Sequence, residues 1–263
     1  MYYFTIGAIF KNESHILKEW VDHYLHHGVN HIYMINDNSN DNFLEILQPY
    51  IDTKLVTLYN APIHDSRGGE WPQTEYYNKY FLKHLNETKW FGIFDLDEFL
   101  YSPNDLDLKN PLKMLEDKEQ LQINWVHFGS SGFKEQPKNV VQNFLYRGDY
   151  NSIKNGPNGK YNSYKSIIYC NYDNQFIQLG IHRHNKPNMV DTNISFELNE
   201  PIMLVNHYAI QSVEAWNKRS KTSAIGNHYP GFIRDINLFN QLDNNDIPDK
   251  RLMEQNSKWF NIL

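Results

Sequence analysis

The stretch from Trp90 to Tyr101 reads W-F-G-I-F-D-L-D-E-F-L-Y and constrains the fold more than any other part of the chain. Its apolar run, Trp90 to Phe94, is bounded by polar residues, the pattern of a strand buried on both faces. Such strands belong to α/β proteins, where helices cover both faces of a largely parallel sheet. The run ends in Asp95, Leu96, Asp97 and Glu98. On an extended backbone alternate side chains share a face, so the spacing predicts Asp95 and Asp97 together with Leu96 turned away. Two hard carboxylates at a strand end suit Mg²⁺ or Mn²⁺ carrying a diphosphate, because such ions bind a few carboxylates plus phosphate oxygens. In open α/β sheets, ligands bind at the carboxyl ends of the strands. A strand running into an ordinary acidic loop would read the same way.

The surrounding pattern fits an α/β sheet. Tyr2 to Phe10 is a strand candidate, followed by a helix N-capped at Ser14 and running to His27, with Gly28 ending it. Leu17, Trp20, Val21, Tyr24 and Leu25 form its apolar face. A second strand is expected over His31 to Ile35, a short helix over Phe43 to Leu47 stopping at Pro49, and a third strand over Lys54 to Tyr59. After the turn Arg67-Gly68-Gly69, a helix from Pro72 to Leu85 leads into the central strand. This alternation predicts parallel strands with right-handed crossovers. Beyond Tyr101, short strands are expected at 121–128, 140–145, 164–169, 176–179 and 202–205, with a mobile-looking turn at Gly129 to Gly132 and a surface loop over 151–162. Ser212 caps a helix to Lys221, and the polar stretch from Gln241 ends in Trp259 and Phe260, a docking helix or a frayed end.

Composition narrows the function classes. With 263 residues the chain can bury a sizeable core in one domain. A net charge of -6 carries no electrostatic footprint for nucleic acid. The single Cys170 leaves no intramolecular disulfide framework and no cysteine zinc site. The N-terminus has no basic region before its apolar run, and no stretch is long enough to span a bilayer. The expectation is a cytoplasmic protein, with peripheral attachment to the inner membrane face left open.

Four blocks carry a resemblance. They are K-N-E-S-H-I-L-K-E-W-V-D-H-Y-L-H-H-G-V (Lys11 to Val29, running on to I-N-D-N-S-N-D), F-D-L-D-E-F-L (Phe94 to Leu100), W-V-H-F-G-S-S-G (Trp125 to Gly132) and V-N-H-Y-A-I-Q-S-V-E-A-W-N-K-R-S-K (Val205 to Lys221). Together they resemble the family 92 and related family 2-like glycosyltransferases, and they follow the family's order over nearly the whole chain. The chain departs from the pattern at Ser220, where an Arg-Gly pair is usual. The resemblance implies a GT-A fold, an α/β, Rossmann-like, nucleotide-sugar-binding architecture with a central, mostly parallel mixed sheet flanked by helices. It divides residues 1–240 into a nucleotide-binding half (1–101) and an acceptor-binding half (102–240), with 241–263 as the tail.

The same residues have chemical readings of their own. Lys11, Asn12 and Glu13 follow the first strand, where a sheet-edge crevice would hold a nucleotide base; a helix cap is the plainer alternative. Asn36, Asp37 and Ser39 follow the second strand, and Asp37 suits a ribose or uracil, though Asn and Asp also form Asx-turns unaided. Arg67 in its Gly-rich turn suits a diphosphate, or stands solvated. Helical spacing puts Gln73 and Tyr77 on one face. The resemblance implies a sugar- or nucleotide-binding role for Gln73 and Asn78. It also implies that His207 completes a metal shell with Asp97 and Asp95, Asp95 lying nearer the ribose. Imidazole suits Mn²⁺ better than Mg²⁺. His182 and His184 form an H-x-H alternative. Lys165, Lys218 and Arg219 are cations able to balance a departing diphosphate. Trp125 and the turn Gly129, Ser130, Ser131 resemble an acceptor-side wall, where an indole face stacks on a sugar ring.

The expected chemistry is metal-dependent transfer of a hexose, galactose or glucose, from a UDP-linked sugar to a glycan or glycolipid hydroxyl. The setting expected is surface-polysaccharide or lipopolysaccharide-type biosynthesis. The resemblance implies inversion, which needs a carboxylate base on the acceptor side. Beside Asp97 at the metal, Glu98 and Glu135 are the catalytic candidates. Two alternatives stand beside this reading. F-D-L-D after a strand also resembles haloacid-dehalogenase-like phosphatases, although Glu98 occupies a position usually small and no late G-D-x-x-x-D follows. A non-catalytic sugar-binding module would leave the Asn36 to Asn42 loop without a role.

Overall fold

The expected alternation forms, and one sheet gathers both halves of the chain. The structure, a computed structural model, describes residues 1–62, 72–149, 164–170, 176–194, 201–221 and 235–260. Strands β1 (Tyr2–Phe10), β2 (His31–Asn36), β3 (Val56–Asn60) and β4 (Thr88–Ile93) pair in parallel in the order β3-β2-β1-β4. The sheet continues through β8 (Tyr164–Tyr169), antiparallel to both β4 and β6 (Gln120–His127). Strand β10 (Leu204–His207) then runs parallel to β6, and β5 (Glu98–Tyr101) closes the order antiparallel to β10. The short β9 (Asp191–Asn193) pairs with β6, and β7 (Tyr146–Arg147) with β11 (Ile247–Pro248) forms a separate ribbon. This is the expected α/β architecture with a mostly parallel mixed sheet.

Helix α1 (Ser14–His26) covers one face, burying Leu17, Trp20, Val21 and Tyr24 completely. It ends as its sequence dictates. Gly28 takes φ 90°, and the N–H groups of Gly28 and Val29 donate to the carbonyls of Leu25 and Tyr24, which ends the helix in a left-handed turn. Its start differs from expectation. Glu13, not Ser14, occupies the cap, and the Ser14 N–H donates to the Asp41 carboxylate at 2.9 Å. Helix α2 (Phe43–Asp52) passes through Pro49 instead of stopping there. Its apolar stripe of Phe43, Ile46, Leu47, Tyr50 and Ile51 holds to the core on both sides of the proline, which outweighs one lost hydrogen bond.

Helix α3 (Pro72–Tyr80) gives way to a 3₁₀ turn, Leu82–Glu87, short of the single helix expected. Helix α4 is Lys109–Lys113 and helix α5 is Val213–Lys221, capped as expected by Ser212, whose Oγ accepts from the Ala215 N–H at 3.1 Å. The 140–145 stretch is a turn, not a strand, because Glu19 of α1 accepts the N–H groups of Val140 and Val141 at 2.6 and 2.9 Å. The 176–179 stretch forms a single bridge, Gln178 to Asn185. Helices α6 (Ile236–Leu242) and α7 (Arg251–Phe260) complete the chain. Buried Asn256 of α7 sits against α1, its Oδ1 2.9 Å from His27 Nε2 and its Nδ2 3.3 Å from His23 Nδ1.

Glu19 has a pH consequence. Burial pushes its carboxyl up to about 7, against the two backbone N–H groups that favour the charged form. The native state therefore holds a proton that the unfolded chain has released, so stability is greatest below the unfolded value near 4.5 and falls as pH rises towards 7. Denaturant titrations across that window should show a loss of roughly 1 kcal/mol per pH unit from this group, and Glu19→Gln should flatten the slope.

Candidate functional site

The D-L-D-E segment leaves the end of β4 and turns at once. The Glu98 N–H donates to the Asp95 carbonyl at 3.0 Å, so Asp95 to Glu98 form a turn where an extended strand was expected. The turn sends the two aspartates to different partners. Asp95 accepts from Lys165 at 2.8 Å and from Gln73 at 3.3 Å. Asp97 lies 3.7 Å from His207 Nε2 and 3.3 Å from Arg219 Nη1. One ligand atom each from Asp97, Glu98 and His207 fall within 4.8 Å of one another, a group able to hold a metal ion. Asp95, expected beside Asp97, is not in it, and Glu98 takes the third place.

Strand register explains the convergence. His207 ends β10, where it stands opposite Glu98 on β5 and His127 on β6. Trp125, two residues before His127 on β6, lies with its ring 4.4 Å from His207 and near His127 and His182. His184 is buried, and its backbone N–H donates to Gln120. Burial lowers the His207 pKa and pushes His127 down to about 3, keeping both imidazoles neutral, the form that ligates metals. Glu98 is fully buried, and burial raises its carboxyl well above the usual range against the pull of Lys165. Its Oε2 accepts the Asp95 N–H at 2.9 Å and lies 3.2 Å from Lys165 Nζ. Glu98 Oε1 and His207 Nδ1 are buried with no hydrogen-bond partner among the described residues. Two carboxylates, one of them with an unsatisfied buried oxygen, and one imidazole are a donor set that fits a divalent cation.

A cleft of about 370 Å³ opens beside this group, between the start of α1, the 136–138 loop and α5. Lys11, Lys138, Lys218 and Arg219 line it with Asn12, Glu13, His15 and Glu214. Arg219 joins cleft to turn, reaching Asp97 on one side and Glu13 Oε1 at 3.7 Å on the other. Glu13 Oε2 and His15 Nδ1 on the cleft wall lack hydrogen-bond partners among the described residues and face one another at 3.6 Å.

The remaining expected residues divide between cleft and scaffold. Asn12 and Ser39 tie the loops after β1 and β2, the Asn12 N–H donating to Ser39 Oγ at 3.0 Å. Asn36 accepts the Ser39 N–H and donates to Asn60, while buried Asp37 lies 3.6 Å from Lys11 Nζ. Gln73 donates to Tyr77 as well as to Asp95. Asn78 points elsewhere, its amide exchanging two hydrogen bonds with the Leu179 backbone. Lys165 has no exposed side-chain surface and lies beneath the carboxylates, not in the cleft. The Gly129 to Gly132 turn is pinned, not open. Ser130 donates to Asp243 through both N–H and Oγ, and the Ser131 N–H donates to Asn245 at 2.8 Å. A side chain at Gly129 would meet the Asn244 carbonyl oxygen at 2.5 Å. Glu135 is exposed on the loop that follows. Arg67 lies outside the described residues. His127 and His15 were not singled out from sequence; the i, i+2 spacing of Trp125 and His127 on one strand was the available signal for the first.

The chain matches known proteins along nearly its whole length. Residues 2–250 match the profile of glycosyltransferase family 92. A family 92 protein of Oryza sativa subsp. japonica is 26% identical over 219 residues, covering 81% of this chain and 34% of that protein. One from Ricinus communis is 27% identical over 144 residues, covering 52% and 24%. A galactan beta-1,4-galactosyltransferase of Arabidopsis thaliana is 27% identical over 116 residues, 41% of this chain and 22% of that protein. The matches thus span between 22% and 34% of the relatives' lengths. Among solved structures, S. aureus TarS aligns with a TM-score of 0.38 at 15% identity, over 64% of this chain and 47% of that one. The ordered blocks, the sheet and the whole-length profile agree: this chain belongs to glycosyltransferase family 92.

Proposed function

We propose that this protein is a metal-dependent hexosyltransferase that moves galactose or glucose from a UDP-linked sugar to a glycan or glycolipid hydroxyl. The observation that carries the reading is the Asp97, Glu98 and His207 group beside a cation-lined cleft. Family membership favours transfer over the phosphatase alternative, and the galactan galactosyltransferase relative favours galactose. Asp97, Glu98 and His207 would hold the ion, which would act as Lewis acid and template for the leaving diphosphate.

The chain's own residues supply the rest. Lys11, Lys218 and Arg219 bring positive charge to the diphosphate from the cleft. The Asn12, Asn36, Asp37 and Ser39 loops stand at the strand ends where a nucleoside binds in open α/β sheets. Trp125 offers a ring face next to His207, a platform for a sugar close to the reacting centre. Lys165 offsets the charge of Asp95 and Glu98 from below, so the turn can carry three acidic side chains. Inversion requires an acceptor-side base. Glu98 is committed to Lys165 and the Asp95 N–H, which leaves Glu135, on the loop leading to Gln136 and Lys138 of the cleft, as the base in this reading. No helix among the described residues is long and apolar enough to cross a membrane. A cytoplasmic enzyme working at the membrane face on surface glycans is part of the same proposal.

A thermal-shift titration with Mn²⁺ and UDP-, GDP- and CMP-sugars tests the donor, because a ligand selective for the native state raises its melting temperature. The expected result is a shift that requires both Mn²⁺ and a UDP-sugar; a shift with Mg²⁺ and a phosphate mimic alone would contradict it. Asp97→Ala should abolish transfer and the Mn²⁺-dependent shift while leaving the melting temperature of the unliganded protein near that of wild type. Lys165→Met should instead lower unfolding stability by about 3–5 kcal/mol in denaturant, since it strands two carboxylates, one fully buried. Adding Glu98→Gln should recover part of that loss.

A further inference from the structure

Helix α1 reaches the acidic turn through side chains that no part of the proposed chemistry uses. Trp20 has no exposed surface, and its indole N–H is shared between two acceptors, the carbonyls of Asp95 and Glu98, each at 3.0 Å. Those carbonyls mark the two ends of the turn. Tyr24, one helical turn on and also fully buried, donates its hydroxyl to the same Glu98 carbonyl at 3.0 Å and accepts the Leu100 N–H at 3.1 Å. His23 Nε2 lies 2.8 Å from the Leu100 carbonyl. Residues four apart on a helix share a face, so Trp20 and Tyr24 form one fixed edge against the turn. The Tyr208 N–H donates to the Asp97 carbonyl, inside the turn, at 2.8 Å.

Packing alone does not account for this edge. A buried phenyl ring would fill apolar space without any polar atom, whereas the indole N–H bridges the turn. The bridge sets the direction in which Asp97 and Glu98 leave the backbone, and so the spacing of their oxygens from His207. The same helix begins at Glu13, which lines the cleft and contacts Arg219, itself in contact with Asp97. Turn and cleft wall are therefore held on one rigid element.

We propose that Trp20 and Tyr24 are positioning residues for the cation site, holding the Asp95–Glu98 turn in the geometry that lets Asp97 and Glu98 close on an ion with His207. The inference rests on the metal reading given under Proposed function. Trp20→Phe is the sharpest variant. It removes the shared donor together with part of the buried ring volume; the Asp95 carbonyl still accepts from the Glu98 N–H, and the Glu98 carbonyl still accepts from Tyr24. No buried carbonyl is orphaned, so the variant should fold.

The test is Mn²⁺ affinity of the purified protein without nucleotide, read by electron paramagnetic resonance of free Mn²⁺, alongside UDP affinity measured in chelator. Loss of an outer partner of a metal ligand typically weakens metal binding by about 10–100-fold, and about tenfold is expected for Trp20→Phe. Its UDP affinity in chelator should stay within about twofold of wild type, as the cleft does not contact Trp20. Unchanged Mn²⁺ affinity with a lowered melting temperature would make Trp20 a core residue only and overturn the proposal. Equal loss of metal and metal-free UDP binding would also overturn it, as general loosening. Wild-type protein that binds no Mn²⁺ would defeat the metal reading itself, and this inference with it. Should Trp20→Phe not fold, Tyr24→Phe is read by the same criteria.

Discussion

The site depends on a buried cation placed under an acidic turn. Asp95, Asp97 and Glu98 sit within four residues, and Glu98 has no contact with solvent. Unpaired, such a cluster would cost several kcal/mol in desolvation and mutual repulsion. Lys165 on β8 offsets that cost, 2.8 Å from Asp95 and 3.2 Å from Glu98. It can do so because β8 inserts antiparallel between β4 and β6, directly beside the strand that ends in the turn. The switch from parallel to antiparallel pairing thus places a positive charge where the acidic turn needs one.

Around that pair the site is built in layers. Strand register sets Glu98, His207 and His127 in a row across β5, β10 and β6. Arg219 from α5 reaches Asp97 and Glu13, tying the late helix to the first. Burial keeps His207 neutral, while Glu98 Oε1 has no hydrogen-bond partner among the described residues. The imidazole and carboxylate oxygens stand together at the turn, and the neighbouring cleft is lined by Lys11, Lys138, Lys218 and Arg219 beside Glu13 and Glu214.

Much of this was legible in the chain. The buried run before D-L-D-E announced the central strand, alternation announced the parallel β3-β2-β1-β4 segment, and Gly28 marked the end of α1. The strand at Tyr164–Tyr169 and the Ser212 cap were readable from local pattern alone. The failures share one cause. Pro49 was read as a stop, 140–145 as a strand and Asp95 as a partner of Asp97 because each was judged by its own neighbours. In the fold, an apolar stripe carries α2 across the proline, Glu19 takes the N–H groups that a strand at 140–145 would use, and a turn sends Asp95 to Lys165.

The sequence by itself determined the α/β class, the family, the acidic segment at the end of the central strand and most of the residues now found around it. Those follow from periodicity, strand and helix boundaries and ordered blocks, all of which are local. Only the tertiary structure decided which of those residues meet. That Glu98 and not Asp95 stands with Asp97 and His207, that Lys165 is a buried counter-charge, and that Trp20 grips the turn each depend on contacts between residues from 67 to 110 positions apart. Such contacts are set by sheet order and register, which no local pattern encodes.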